Sequence, residues 1–119
     1  MTDKNGQKLT GRALLDLAKA HAAALRPVRI PEWGAPGEPM TVYARLVSKS
    51  QMKQLRGKHG DDIDSLSVAV VIFNICDEAG NPLFDYSQRD ELLTLPSAII
   101  DRMANAALGA YRPEEQVKN

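Results

Sequence analysis

The stretch that most constrains this chain is "DDIDSLSVAVVIFNIC", from Asp61 to Cys76, because whatever it forms has to be buried. Residues 68–73 are an unbroken apolar run rich in β-branched side chains, which is the texture of an enclosed strand. Yet Ile63, Leu66, Val70 and Phe73 also fall at helical spacing, with Ala69 and Cys76 beside them. Asp61, Asp62 and Asp64 sit where a helix N-terminus attracts negative charge. The pattern favours a buried helix, with a strand over residues 66–76 as the alternative.

The flanking segments are easier to read. "TGRALLDLAKAHAAAL" is rich in Ala and Leu, the strongest helix formers, and Leu14, Ala18 and Leu25 keep one face until Pro27 stops the helix. In "RPVRIPEWGAPGEPMTVYARLV" apolar and polar residues alternate at Val28, Ile30 and Val42. This predicts two short strands, joined by the loose connection "PEWGAPGEP", too long for a two-residue turn. Pro31 and Pro39 suit an edge, where a missing N–H does no harm. "SKSQMKQLRGKHG" predicts a short solvated helix, capped by Ser48 or Ser50, ended by Gly57 or Gly60 and touching the core through Met52 and Leu55. Ser87 is placed to cap "QRDELLTL", with Asp90 as the capping-box acid. Pro96 opens a last helix, in which Ile100, Ala104, Ala107, Leu108 and Tyr111 form a stripe beside Ile99 and Met103, and Pro113 ends it.

These elements make an α+β fold: a small, mostly helical domain with a short two-stranded β element in the N-terminal third. At 119 residues the chain is most simply one domain. Residues 1–10 read as a flexible N-terminus and 113–119 as a polar tail. The 15 basic residues balance the 15 acidic ones, so no net field draws nucleic acid or anionic membrane. "MTDKNGQKLTGR" has no apolar run behind its charges, and no run approaches the ~20 residues that span a bilayer. With a single cysteine, the expectation is a soluble cytoplasmic chain.

Sites for chemistry are hard to find. "CDEAGNPLF", Cys76 to Phe84, has Asp77 and Glu78 near a Gly, but Ala79 and Leu83 stand where a calcium loop needs oxygen ligands. A corner explains it better: Gly80 supplies a positive φ, Pro82 cannot continue a helix, and Leu83 and Phe84 anchor the next segment into the core. His21 and His59 are isolated, so no zinc cluster forms. Cys76 ends an apolar run beside two acids, which would raise its pKa, so it reads as structural and not as a nucleophile. Asp61, Asp62, Asp64, Asp90 and Glu91 look like helix starts. The reading is therefore non-enzymatic, without cofactor or metal. Lys49, Lys53 and Arg56 share a helix face near Lys58 and His59, with no aromatic residue interleaved for base stacking. Trp33, in "PEWG", either folds back on the core or anchors a partner.

Taken in order, the segments resemble the tail assembly chaperones of long-tailed phages. The likeness runs from about Val28 to Gly109. It is carried by "VRIPEWG", by "VYARLVSKSQMKQLR", and most closely by "VVIFNICDEAGNPLFDYSQRDELLTLPSAIIDRMANAALGA". That last stretch has an apolar segment, an acidic-Gly turn ending in "PLF", a short helix with "LLTLP" and a final helix with "IIDRMANAAL". Leu95 and Pro96, then Ile100, Asp101, Arg102, Ala106 and Ala107, fill the family's Leu-Pro and small-residue helix positions. The Ala-rich helix before Pro27 and the "EWGAPGEP" loop are less typical of it.

The resemblance implies a single tail-assembly-chaperone-like domain over 11–112 that binds the tape measure protein, keeps it soluble and helps recruit tail-tube subunits. Such a protein works in the host cytoplasm, is absent from the finished particle, and is often accompanied by a longer frameshifted product. Leu92, Leu93, Leu95, Ile99 and Met103 are more apolar than one side of a small core requires. They read either as a client-binding face, together with Trp33, or as core. Self-association is a further expectation for a chain with free apolar surface. The competing functions are a head–tail or tail component retained in the virion, and a small nucleic-acid-binding regulator using Lys49, Lys53 and Arg56.

Overall fold

The structure is a computed structural model and describes residues 10–110. It is α+β. Helix α1 spans Gly11–Ala23, strands β1 and β2 span Arg26–Ala35 and Glu38–Ala44, and helices α2 and α3 span Lys49–His59 and Ile63–Asn74. Strand β3 (Ile75–Cys76), a 3-10 turn (Tyr86–Gln88), helix α4 (Arg89–Leu92) and helix α5 (Ser97–Ala107) complete the order. The expected flexible N-terminus (except Thr10), the polar tail and Tyr111 lie outside the described residues.

The Asp61–Cys76 stretch is a buried helix up to Asn74, as its spacing favours, and a strand only over its last two residues. Asp62 caps α3, its carboxylate accepting from the backbone N–H groups of Asp64 and Ser65 at 3.1 and 3.3 Å. The helix then runs to Asn74 in spite of its β-branched residues, because neighbours enclose it on most sides: Val68 to Ile72 are all buried. Packing overrides propensity here. At Ile75 the backbone turns extended, and Ile75 and Cys76 pair antiparallel with Ala44 and Tyr43. The sheet thus has three strands, in the order β1-β2-β3, and not the two expected. The buried Asn74 side chain donates to the Val70 carbonyl at 3.1 Å, while its own backbone carbonyl accepts from Arg45 N–H at 2.8 Å, tying the end of α3 to the end of β2.

The hairpin also differs from expectation. The strands continue through the Pro-rich segment until Ala35 faces Glu38, so the connection is the two residues Pro36 and Gly37. Gly37 has a φ of 79°, the conformation that the second central position of a type II turn requires after Pro. The length of "PEWGAPGEP" is taken up by a bulge: between the pairs Ile30↔Met40 and Ala35↔Glu38, residues 31–34 lie opposite Pro39 alone. Gly34 makes this possible. A Cβ there would run into the Glu38 carbonyl and lie 2.6 Å from Met40 N and 2.8 Å from Pro39 Cα.

The inner face of the sheet carries Val28, Ile30, Val42 and Ala44, with Val28 directly opposite Val42. Helix α5 lies against it and against α3, presenting Ile99, Ile100, Met103, Ala104, Ala106 and Ala107. The alanines let backbones approach closely, and Met103, wholly enclosed, fills the space between them. The helix ends at Ala107, ahead of Pro113, in a Schellman motif: Ala110 N–H bonds the Asn105 carbonyl at 2.8 Å and Gly109, at φ 84°, bonds that of Ala106 at 3.1 Å. Arg102 on α5 grips Glu32 on β1 with two bonds of 2.7 and 2.8 Å. The guanidinium holds the Glu32 carboxyl at a pKa of about 2. Helix α1 starts at Thr10, whose Oγ1 accepts from Ala13 N–H at 3.1 Å, and buries none of its side chains.

Candidate functional site

The "CDEAGNPLF" stretch is a corner. Asp77 organises it: its carboxylate accepts from the N–H groups of Asn81 and Ala79, both at 2.9 Å, which hold it below the usual carboxylate range. Gly80, at φ 91°, makes the turn, and the chain returns so that Pro82 bridges Cys76 and Leu83 N–H bonds the Ile75 carbonyl. Arg45 closes over the turn, donating to the Gly80 carbonyl at 3.0 Å. Cys76 is buried, its thiol directed at the Tyr43 carbonyl at 3.4 Å, and burial pushes its pKa up.

Next comes the segment from Asp85 to Leu95. Its start is two residues earlier than expected: Asp85, in place of Ser87, is the cap, and Gln88, in place of Asp90, completes the capping box. Asp85 accepts from Ser87 N–H and Gln88 Oε1 accepts from Asp85 N–H, both at 2.9 Å. The 3-10 turn explains the shift, since it brings the first free N–H groups forward. Tyr86 becomes a hub. Its ring stacks with Phe73 at 6.1 Å between centroids, lies 4.1 Å beneath the Lys58 ammonium, and its hydroxyl accepts from Arg89 at 3.2 Å. Among the α2 cations, Lys58 therefore has an aromatic neighbour, supplied from a distant part of the sequence. Lys49, Lys53 and Arg56 themselves are exposed.

The five apolar residues expected as a face divide. Leu92, Ile99 and Met103 are only 4%, 5% and 0% exposed and belong to the core, so in this conformation no partner reaches them. The division follows from helix geometry, which turns Leu92 and Leu93 in different directions. Leu93 is 45% exposed and Leu95 is half-buried. Trp33 is half-buried and packs against the core from the hairpin bulge, away from this segment in sequence.

Leu92 to Leu95 form a ridge between two open hollows. One, of about 260 Å³, is bounded by α3 (Asp64, Ser67, Val68), the ridge (Leu92, Leu93, Leu95) and α5 (Ser97, Ile100, Asp101). The other, of about 520 Å³, is bounded by Phe84, Gln88, Asp90, Glu91, Leu92, Thr94 and Leu95. Both have leucine floors, and every charged residue lining them is acidic. In the sequence, Asp64, Asp90 and Glu91 read only as helix starts, and nothing in their spacing places those starts around one surface. Ile63, Phe73 and Leu83 are further large apolar side chains left exposed on this half of the chain.

Among the described residues no group of His, Cys, Asp or Glu is placed to hold a metal ion. What the two hollows present is leucine surface edged by hydroxyl and carboxylate groups. No family model matches the chain, and no curated protein does. Solved structures do provide a likeness, and it is to a phage tail assembly chaperone. The tail assembly chaperone of bacteriophage HK97 superimposes with a TM-score of 0.58 over 87% of this chain and 97% of that one, at 22% identity. At that identity the likeness is one of fold.

Proposed function

We propose that this protein is a non-enzymatic phage tail assembly chaperone. It binds the tape measure protein, helps recruit tail-tube subunits, acts in the host cytoplasm and is absent from the finished particle. One observation carries this reading: a fold shared with the HK97 tail assembly chaperone over nearly the whole of that chain. The apolar-turn-"PLF"-"LLTLP" series read from the sequence supports it independently. So does the amount of apolar surface the chain leaves outward, at Ile63, Phe73, Leu83 and Leu93 and along α1. A tape measure exposes apolar helical surface until tube protein covers it, and a small domain with open hydrophobic hollows is suited to shield it.

Co-expression with the tape measure protein of the same phage tests the reading. A chaperone moves the tape measure protein into the soluble fraction and co-purifies with it. If that protein stays insoluble with the chaperone candidate present, the reading fails. Mass spectrometry of purified particles then separates a chaperone, which should be missing, from a structural tail component, which should be retained.

A further inference from the structure

We infer that the outward side of this ridge, at Leu93 and Leu95, and its flanking hollows receive an amphipathic helix of the client whose apolar stripe is bordered by lysine or arginine. The inference rests on the chaperone reading and specifies where and what it binds. Charge is the first argument. The chain is neutral overall, yet Asp64 and Asp101 border one hollow and Asp90 and Glu91 the other, with no basic residue lining either. Asp101 accepts a bond from Ser97 at 3.2 Å, and among the described residues neither it nor Asp64 has an ion-pair partner. Asp90 meets Arg89 at 3.7 Å, but is itself 89% exposed and open to a second cation. Helix α2 carries four of the chain's 15 basic residues, Lys49, Lys53, Arg56 and Lys58, and none of them lines either hollow.

Shape is the second argument. Half-buried Leu95 lines both hollows and exposed Leu93 lines the first, so an incoming helix would lay its apolar residues on either side of Leu95 and carry its flanks to the acidic borders. This is helix-in-groove recognition, with contacts spaced at one face of the incoming helix. Carboxylates at the borders would select basic flanks over acidic ones and speed the encounter.

The test uses the full chain and two labelled synthetic peptides that share one leucine stripe, one flanked by lysine and the other by glutamate. Fluorescence anisotropy should show the lysine peptide binding about tenfold or more tightly, a difference that a few exposed charge pairs can supply. Added salt should shrink the preference. Neutralising all four carboxylates, by Asp64→Asn, Asp90→Asn, Glu91→Gln and Asp101→Asn, should remove most of it, while Leu93→Glu should weaken both peptides in a protein whose melting is unchanged. Equal affinity for the two peptides, or binding indifferent to Leu93→Glu, overturns the inference. So does a wild-type chain that self-associates through this surface and is made monomeric by Leu93→Glu without any peptide binding, since the occupant is then a second copy. The two readings fail separately. If the wild-type chain captures the tape measure protein and Leu93→Glu captures it equally well, the chaperone reading stands and the groove is wrong. If the lysine peptide binds but the tape measure protein is not captured, the groove stands as a helix site and the chaperone reading falls.

Discussion

Helices α1 and α5 look alike as sequences and differ completely as structure. "GRALLDLAKAHAA" and "SAIIDRMANAA" are both alanine-rich and amphipathic, yet α5 buries six side chains and α1 buries none. Their ion pairs differ in the same way. Arg12 pairs with Asp16 one turn away, both about two-thirds exposed, whereas Arg102 at 15% exposure reaches Glu32 on another element. The comparison teaches that an amphipathic pattern announces an apolar face without saying what covers it. Within one copy of the chain, α5 is covered by α3 and the hairpin, while Leu14, Leu15 and Leu17 of α1 remain at 48%, 54% and 59% exposure.

The cover over α5 is tested most forcefully at Met103. Met103→Asp should unfold the domain, because an unpaired carboxylate in a fully enclosed position costs more than about 4 kcal/mol, most of a small domain's stability. Circular dichroism reads the loss directly, and a folded Met103→Asp protein would return α5 to the surface. Gly34→Ala comes next. It leaves α5 alone but disturbs the hairpin bulge beneath it, and urea titration should show a loss of about 1–3 kcal/mol.

The Arg102–Glu32 tie predicts a pH effect. Folding lowers the Glu32 pKa from 4.5 to about 2, so the folded state favours the ionised carboxylate. The contribution is therefore fully present above pH 4.5 and is lost as the pH falls through that range towards 2. Glu32→Gln should therefore lower stability above pH 4.5 and converge with the wild type towards pH 2, which flattens the acid limb in that window. An identical acid limb in the variant would show that the pair does not contribute. The smallest effect is expected on α1, where Leu17→Glu should change the melting free energy by no more than about 0.5 kcal/mol. A large loss there would mean that α1 is covered in solution.

Much of this fold is legible in the sequence. The cap at Ser48, the helix start among Asp61, Asp62 and Asp64, the turn at Gly80 and the helical spacing within the apolar run are local chemistry, and local chemistry is written in adjacent residues. The features that escape a reading of the sequence depend on distant partners. The third strand exists because Ile75 and Cys76 meet β2, and the strands run through "PEWGAPGEP" because Gly34 admits Glu38 and Met40. Similarly, spacing gives Leu92, Ile99 and Met103 an apolar role but not a direction. Only the packing of α4 against α3 shows that Leu92 turns inward and Leu93 outward. The acidic borders of the groove come from three separate helices, so no single window of sequence contains them.

The central claim is that this protein handles a tail assembly client. A tagged pull-down from cells producing the whole encoding phage, with bound proteins identified by mass spectrometry, tests it most directly. The expected result is recovery of a long helical tape measure protein, with or without tube subunits. Recovery of capsid or connector proteins in its place would contradict it and move the protein to the structural components of the particle.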